Sequence, residues 1–270
     1  MSLLIMLISA GAIIVLVKYG LLKGIDHVSE ALNLSVKTRG KLTGYATSVP
    51  ELVCLVAAGL HGVWEAGLWN IASSNIINVV LLIMAGIRYR QLHELLHWRF
   101  FDELFFAGLA ILTPIGLMHF GLETQWYLVP LLLGLFVFYQ WMDAKANKKT
   151  GEEEHPAGGN LPLGIILMIT VLVAIVVVGT FLGDATAAVV NEMNLRPALA
   201  GWILGFATSI PEMITFFAVY GAAKKEGKLD GLDDTQEALD NLTGSNMSNL
   251  GFVYPVGLAV YLVAIKLFGS

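Results

Sequence analysis

One short motif occurs twice in this chain of 270 residues. Residues 44–52 read Gly-Tyr-Ala-Thr-Ser-Val-Pro-Glu-Leu, and residues 205–213 read Gly-Phe-Ala-Thr-Ser-Ile-Pro-Glu-Met. Each copy is followed by a second matched segment, which reads Ser-Ser-Asn-Ile-Ile-Asn over residues 73–78 and Gly-Ser-Asn-Met-Ser-Asn over residues 244–249. Both copies lie inside long apolar segments, where a carboxylate is costly and therefore predicts a functional residue.

The first copy predicts a set of oxygen ligands on one face of a disturbed helix. Thr47, Ser48 and Glu51 share a helix face because they are three and four positions apart. Pro50 lacks an amide hydrogen and its ring clashes one turn back, so the carbonyl of Ala46 loses its helical partner. In lipid such a carbonyl must be satisfied by protein, water or an ion. Hard cations prefer ligands of this all-oxygen kind, which predicts a cation site.

The second segment and the second copy supply the remaining candidate ligands. Ser74 and Asn78 share a face at a spacing of four residues, and Pro211 frees the carbonyl of Ala207 as Pro50 frees that of Ala46. Ser, Thr and Pro also serve in transmembrane helices as packing groups and kinks, but duplication of the whole set favours a site. The predicted cation ligands are Glu51, Glu212, Thr47, Ser48, Ser74, Asn78, Thr208, Ser209, Ser245 and Asn249.

Composition places these motifs in a membrane. Hydrophobic residues make up 56% of the chain and charged residues only 14%, against about 25% in soluble domains. A span needs about 20 apolar residues. We predict an all-α integral membrane protein with about eight transmembrane helices, over residues 3–22, 42–62, 67–87, 102–121, 125–142, 161–182, 198–221 and 243–267. A single cysteine excludes an internal disulfide, and no motif or basic stripe indicates a cofactor or a nucleic-acid partner.

Lysine and arginine alternate between the loops, and this alternation predicts the topology. By the positive-inside rule the basic loops are cytoplasmic and the N-terminus is outside. Five predicted spans precede a polar linker, so the second half starts in the opposite orientation, as in transporters built from inverted repeats. We predict a first repeat over residues 1–143 with five helices, a cytoplasmic linker over residues 144–160, and a second repeat over residues 161–270 with three helices.

The doubled motif resembles the two alpha repeats of sodium/calcium exchangers, within the cation/calcium antiporter superfamily. Those proteins carry Thr-Ser-x-Pro-Glu in each repeat, followed by Gly-Ser-Asn-x-x-Asn or Asp. The resemblance implies two inverted five-helix repeats with ions bound at mid-membrane. It also implies that Glu51 and Glu212 bind the ion, helped by the hydroxyl, amide and carbonyl groups given above. The implied function is a secondary antiporter, not an enzyme, that exchanges calcium for sodium by alternating access.

Two departures from the family pattern leave alternatives open. Many members have an acid where this chain has Asn249, so a calcium (cation)/proton antiporter is the alternative within transport. The second half also has two helices fewer than the five of the family repeat. We expect its uncovered flank to be closed by membrane lipid or by another copy of the chain in a homo-oligomer.

One further motif favours a different functional class. Residues 93–97 read His-Glu-Leu-Leu-His and match the zinc metalloprotease signature His-Glu-x-x-His. An intramembrane zinc metalloprotease using His93, Glu94 and His97 would need both histidines on one helix face and a third ligand. Asp230 resembles that ligand, but it lies in a charged loop, and the histidines lie in a short basic segment. We therefore favour an interfacial turn for residues 93–97.

Overall fold

The computed structural model describes residues 1–34, 36–146, 159–227, 229 and 232–268, and in these residues it contains helices and no strands. Most of the predicted linker therefore lies outside the described residues. The helices are α1 (Ser2–Leu16), a π-helical turn (Val17–Leu21), α2 (Leu22–Ala31), α3 (Val36–Thr47), α4 (Val49–Leu60), α5 (Trp64–Tyr89), α6 (Leu92–Leu95), a 3-10 turn (Trp98–Phe100), α7 (Phe101–His119), α8 (Leu128–Ala146), α9 (Leu161–Glu192), α10 (Pro197–Thr208), α11 (Ile210–Glu226), α12 (Asp233–Ser248), a second π-helical turn (Asn249–Val253) and α13 (Tyr254–Phe268).

Eight helical segments among the described residues are long and apolar enough to cross a membrane. They are Ser2–Ala31, Lys41–Leu60, Trp64–Tyr89, Trp98–His119, Leu128–Lys145, Leu161–Glu192, Pro197–Lys225 and Asp234–Leu267. The predicted all-α fold, with five spans before the linker and three after it, is confirmed. Large apolar side chains such as Ile166 and Val173 on α9 are exposed, which fits a surface that faces lipid.

Three predicted boundaries are wrong: the first span ends at Ala31 instead of residue 22, the sixth ends at Glu192 instead of residue 182, and the last begins at Asp234 instead of residue 243. The first span continues beyond residue 22 to Ala31, because α2 packs closely on α9 at Gly24 and Met168. The predicted charged loop before the last span is partly helical, since α12 begins at Asp233. Asp234, Thr235, Gln236 and Asp240 are buried rather than solvated. The Gln236 amide donates to both Glu103 and Asp240, at 3.0 and 3.1 Å.

The two motif copies produce the same helix break. The second span is interrupted at Ser48, between α3 and α4, and the seventh at Ser209, between α10 and α11. The two serines have nearly the same backbone conformation, with φ −83° and ψ −4° at Ser48 and φ −81° and ψ 0° at Ser209. Pro50 and Pro211 lie in the first turns of α4 and α11, where a missing amide hydrogen costs nothing.

The first spans of the two halves show that the halves are inverted. These spans pack against each other along their length and run antiparallel. Ser2, at the start of α1, donates a hydrogen bond of 3.2 Å to Glu192 at the end of α9, whereas Gly24 in α2 contacts Gly164 near the start of α9. The first spans of the two halves therefore run in opposite directions. Which side of the membrane each end faces, and the limits of the repeats, stay predictions.

Each half-helix that leads into a motif's helix break packs against a helix of the other half. Helix α3 of the first half lies against α12, and α10 of the second half lies against α5. The contacts are so close that a Cβ atom on Gly44 would lie 2.8 Å from the backbone oxygen of Asn241. A Cβ atom on Gly205 would lie 2.9 Å from the backbone nitrogen of Ser74. The first glycine of each motif is thus required for the close approach that brings the halves together.

Candidate functional site

The structure brings the predicted cation ligands into the interior, where the two broken helices cross the spans that hold the second segments. All ten predicted residues are at most 2% exposed. They are Thr47, Ser48, Glu51, Ser74, Asn78, Thr208, Ser209, Glu212, Ser245 and Asn249. The helix breaks place Glu51 and Glu212 in the first turns of α4 and α11, where the positive end of the helix dipole stabilises an anion.

Polar contacts join Glu212 to residues of both halves. Ser245 on α12 donates a hydrogen bond of 3.0 Å to Oε1 of Glu212. The Ser48 hydroxyl lies 3.3 Å from the Ser245 hydroxyl and 3.2 Å from the Ser245 backbone oxygen. Thr47 also lies close enough to interact with the Glu212 carboxylate. The first half therefore contributes directly to the surroundings of the second-half carboxylate.

The surroundings of Glu51 mirror this arrangement in part. The hydroxyls of Ser74 and Thr208 lie close to the Glu51 carboxylate, but neither forms a hydrogen bond with it. Ser209 donates to the backbone oxygen of Ser74 at 3.5 Å, and Asn249 donates to the Ser74 hydroxyl at 3.3 Å. Each carboxylate is thus faced by one hydroxyl from its own half and one from the other half.

Several buried oxygen atoms of this cluster accept no hydrogen bond. They are both carboxylate oxygens of Glu51, Oε2 of Glu212, and the amide oxygens of Asn78 and Asn249. Buried polar atoms normally have partners, and in a membrane interior the cost of leaving them without one is several kcal/mol, on the order of that of a lost hydrogen bond in hydrocarbon. All five atoms are oxygens, the ligand type of hard cations. The donor set therefore fits a cation.

Three further asparagines, Asn70, Asn75 and Asn246, belong to this network, and the motif pattern alone did not predict them as ligands. Asn78 donates to the amide oxygen of Asn246 at 3.1 Å, and Asn249 donates to that of Asn75 at 2.9 Å. Thr208 donates to the amide oxygen of Asn70 at 3.3 Å. The residue of the second half that corresponds to Asn70 is Asn241. Extending the match of the second segments three residues towards the N-terminus aligns Asn70 with Asn241, so the signal is present in the sequence.

The zinc-protease arrangement is not formed. Helix α6 ends at Leu95, and His97 lies beyond it in an extended conformation, with its Nδ1 atom accepting from the Arg99 amide at 3.2 Å. Glu94 is buried and accepts a hydrogen bond of 2.9 Å from Thr235, whereas His93 is largely exposed. Within the described part of the chain, no group of three or more His, Cys, Asp or Glu side chains could hold a metal. Asp230 lies outside the described residues.

A match to a known protein family identifies the family of this chain. The model of the sodium/calcium exchanger protein family matches residues 2–143 and 163–267. The chain belongs to the sodium/calcium exchanger protein family. With its eight spans, this exchanger-family chain is a multi-pass integral membrane protein. The family resemblance predicted from the doubled motif is thereby confirmed.

Individual relatives of this exchanger-family chain are distant. The inner membrane protein YrbG of Escherichia coli (strain K12) is 23% identical over 219 residues, which cover 77% of this chain and 64% of that protein. The chain thus spans less than two thirds of the length of this relative. The sodium-calcium exchanger NCX_Mj, in crystals soaked with 2.5 mM Na⁺ and 10 mM Sr²⁺, matches 99% of this chain and 90% of its own, with 21% identity and a TM-score of 0.52. The same exchanger soaked with 100 mM Na⁺ and 10 mM Sr²⁺ gives 19% identity over the same shares of the two chains and a TM-score of 0.54, so the fold is shared.

Proposed function

We propose that this protein is a secondary active antiporter that exchanges calcium for sodium across a membrane by alternating access. The observation that carries the proposal is the group of buried oxygens of Glu51, Glu212, Asn78 and Asn249 that accept no hydrogen bond. They lie in a membrane protein of the exchanger family, at the crossing of its two inverted halves. The ten buried side chains named above are the proposed ligands of the transported ions.

Electrostatics explain why two kinds of ion compete for this site. The Glu51 and Glu212 carboxylates are near enough to repel each other in a low-dielectric interior. A divalent cation neutralises both charges at one position. Sodium ions must occupy several positions to balance the same charge, and they use hydroxyl and carbonyl oxygens to do so. Because the divalent cation and the sodium ions need the same carboxylates, binding of one displaces the other.

The broken helices provide the remaining ligands. Helices α3 and α10 end at Thr47 and Thr208, and the carbonyl groups of their last turns carry the negative end of the helix dipole. Half-helices of this kind hold both the substrate and the coupling ion in many inverted-repeat transporters. The carbonyls of Ala46 and Ala207 are the proposed backbone ligands, since Pro50 and Pro211 cannot donate to them.

A cation/proton antiporter is the second candidate, because of Asn249. Within the described residues of the cluster, both Asn78 and Asn249 are amides, so only the two glutamates carry formal charge. A proton that binds to a carboxylate removes one of these charges and can therefore exchange for a cation. The same two glutamates serve in both mechanisms, and only the driving ion differs.

The deciding experiment is calcium flux in proteoliposomes, with sodium and pH gradients imposed separately. The proposal predicts calcium uptake driven by an outward sodium gradient at equal pH on both sides. A pH gradient alone should drive little uptake. Uptake that follows only the pH gradient would select the proton mechanism, and the absence of flux under either gradient would contradict antiport. Vesicles with the Glu51→Gln/Glu212→Gln variant measure the background.

A further inference from the structure

We infer that Asn70 and Asn241 form two alternating latches between the halves. A latch is closed when the asparagine amide accepts a hydrogen bond from a threonine of the other half, which is Thr208 for Asn70 and Thr47 for Asn241. In this structure the Asn70 latch is closed and the Asn241 latch is open. The inference rests on the proposed function, because it assigns to these residues a role in alternating access. Neither asparagine is one of the ten proposed ligands. Each lies one helical turn before a hydroxyl of the site, Asn70 before Ser74 on α5 and Asn241 before Ser245 on α12.

The closed latch joins α10 to α5. Thr208 donates a hydrogen bond of 3.3 Å from Oγ1 to the amide oxygen of Asn70, and both side chains are buried. Thr208 is the last residue of α10 before the break at Ser209. The bond therefore holds the end of this half-helix beside the Glu51 carboxylate, which the Thr208 hydroxyl also faces. Its loss would release the half-helix at the point where the span bends.

The mirror latch has both of its parts, but they are not joined. Asn241 is 1% exposed, and neither its amide oxygen nor its amide nitrogen has a hydrogen-bond partner. Thr47, the counterpart of Thr208, instead donates to the backbone oxygen of Gly44 in its own helix, at 3.0 Å. The Asn241 amide nevertheless faces α3, since a Cβ atom on Gly44 would lie 3.3 Å from its oxygen. A buried amide without partners destabilises the state that contains it, so a state that supplies a partner is favoured at this position.

The Asn241 amide would gain a hydrogen-bond partner if the two halves exchanged conformations. When the first half takes up the conformation that the second half has here, Thr47 acquires the surroundings of Thr208. Its acceptor then becomes the amide oxygen of Asn241. Thr208 meanwhile transfers its donor to the backbone oxygen of Gly205, which already lies 3.4 Å from its Oγ1 atom. One latch forms as the other opens, so the number of hydrogen bonds is conserved and the two states stay close in energy.

The test uses Asn70→Leu and Asn241→Leu, which keep the side-chain volume and remove the hydrogen bond. Each variant and the double variant are reconstituted in a single known orientation. The apparent KM for calcium is then measured at each membrane face. Because one latch bond biases the two states, each single variant should change the ratio of the two KM values by about 2- to 12-fold, the effect of one hydrogen bond. The changes should have opposite directions, and the double variant should return to the ratio of the parent.

The ratio of the KM values at the two membrane faces distinguishes a latch from a side chain that only stabilises the fold. General destabilisation lowers the total flux but does not change one face relative to the other. Changes in the same direction, or unchanged ratios in both variants, would overturn the inference, and the latter would indicate a bound water on Asn241 in every state. Asn70→Ser and Asn241→Ser provide the same comparison if either leucine variant does not fold. Absence of exchange in the parent would overturn the proposed function instead.

Discussion

The charge of Glu51 and Glu212 is the property of the site that a substitution removes most cleanly. Glu51→Gln and Glu212→Gln keep the shape of the side chain and remove one of the two charges that would face the ion in the proposed site. Leaving one buried charge without its partner costs about 2–5 kcal/mol. We therefore expect each variant to weaken calcium binding by at least about 30-fold, with similar losses in the two variants because the halves mirror each other. Calcium titration calorimetry and flux in proteoliposomes measure this.

Glu94→Gln is the matched control for those substitutions. Glu94 is also a buried carboxylate, but it accepts from Thr235 far from the motif residues, and an amide oxygen can accept the same bond. Transport should be unchanged in this variant. If Glu94→Gln stopped the flux while a Gln at either motif glutamate left it intact, the assignment of the site would be wrong.

Asn249 is the position at which the proposed site can gain a further charge. Asn249→Asp adds a third carboxylate next to Ser74, to which the Asn249 amide now donates. A further negative charge must be balanced when the ions bind, so sodium should bind more tightly or in greater number. The sodium dependence of calcium flux, measured as a Hill coefficient and a half-saturating concentration, should differ from that of the parent. Identical curves would show that this position does not affect the coupling.

At the scale of elements, the close approach of α3 to α12 and of α10 to α5 makes a prediction about stability. Gly44→Ala and Gly205→Ala each place a Cβ atom less than 3.0 Å from backbone atoms of the facing helix. Overpacking of this kind costs about 1–3 kcal/mol. Both variants should therefore melt at lower temperature in detergent than the parent. Gly108→Ala in α7 is the control, because a Cβ atom added there would meet no other atom within 4 Å, and the substitution should be neutral or stabilising.

The sequence predicts most of these elements, but not all of their limits. Apolar length alone locates the eight spans, and Pro50 and Pro211 locate the breaks, since proline cannot continue the helical hydrogen bonds. The start of α12 was missed because hydropathy treats Asp240 as solvated, whereas the folded chain buries it beside Gln236. Asn70 and Asn241 were missed because an asparagine carries no signal until its counterpart in the other half is aligned with it.

At the scale of the whole molecule, the inverted halves predict which parts of the chain share a membrane face. Cysteines introduced at Ser2 and at Lys148, in a Cys54→Ala background, should react with an impermeant thiol reagent from opposite sides. Five candidate spans separate these positions, so we expect them to face different compartments. Cys54 is buried and has to be removed only so that it does not add background. Reaction of both positions from the same side would contradict the inverted repeat.

The matching backbone conformations at Ser48 and Ser209 have a consequence for the direction of transport. Because both spans are interrupted in the same way at the same motif, the two halves have nearly the same backbone shape at their helix breaks. We therefore expect the proposed exchange of calcium to have little built-in preference for import or export. We expect the flux to reverse when the ion gradients are reversed, so that the cell's stored electrochemical energy determines whether this molecule fills a compartment with calcium or empties it.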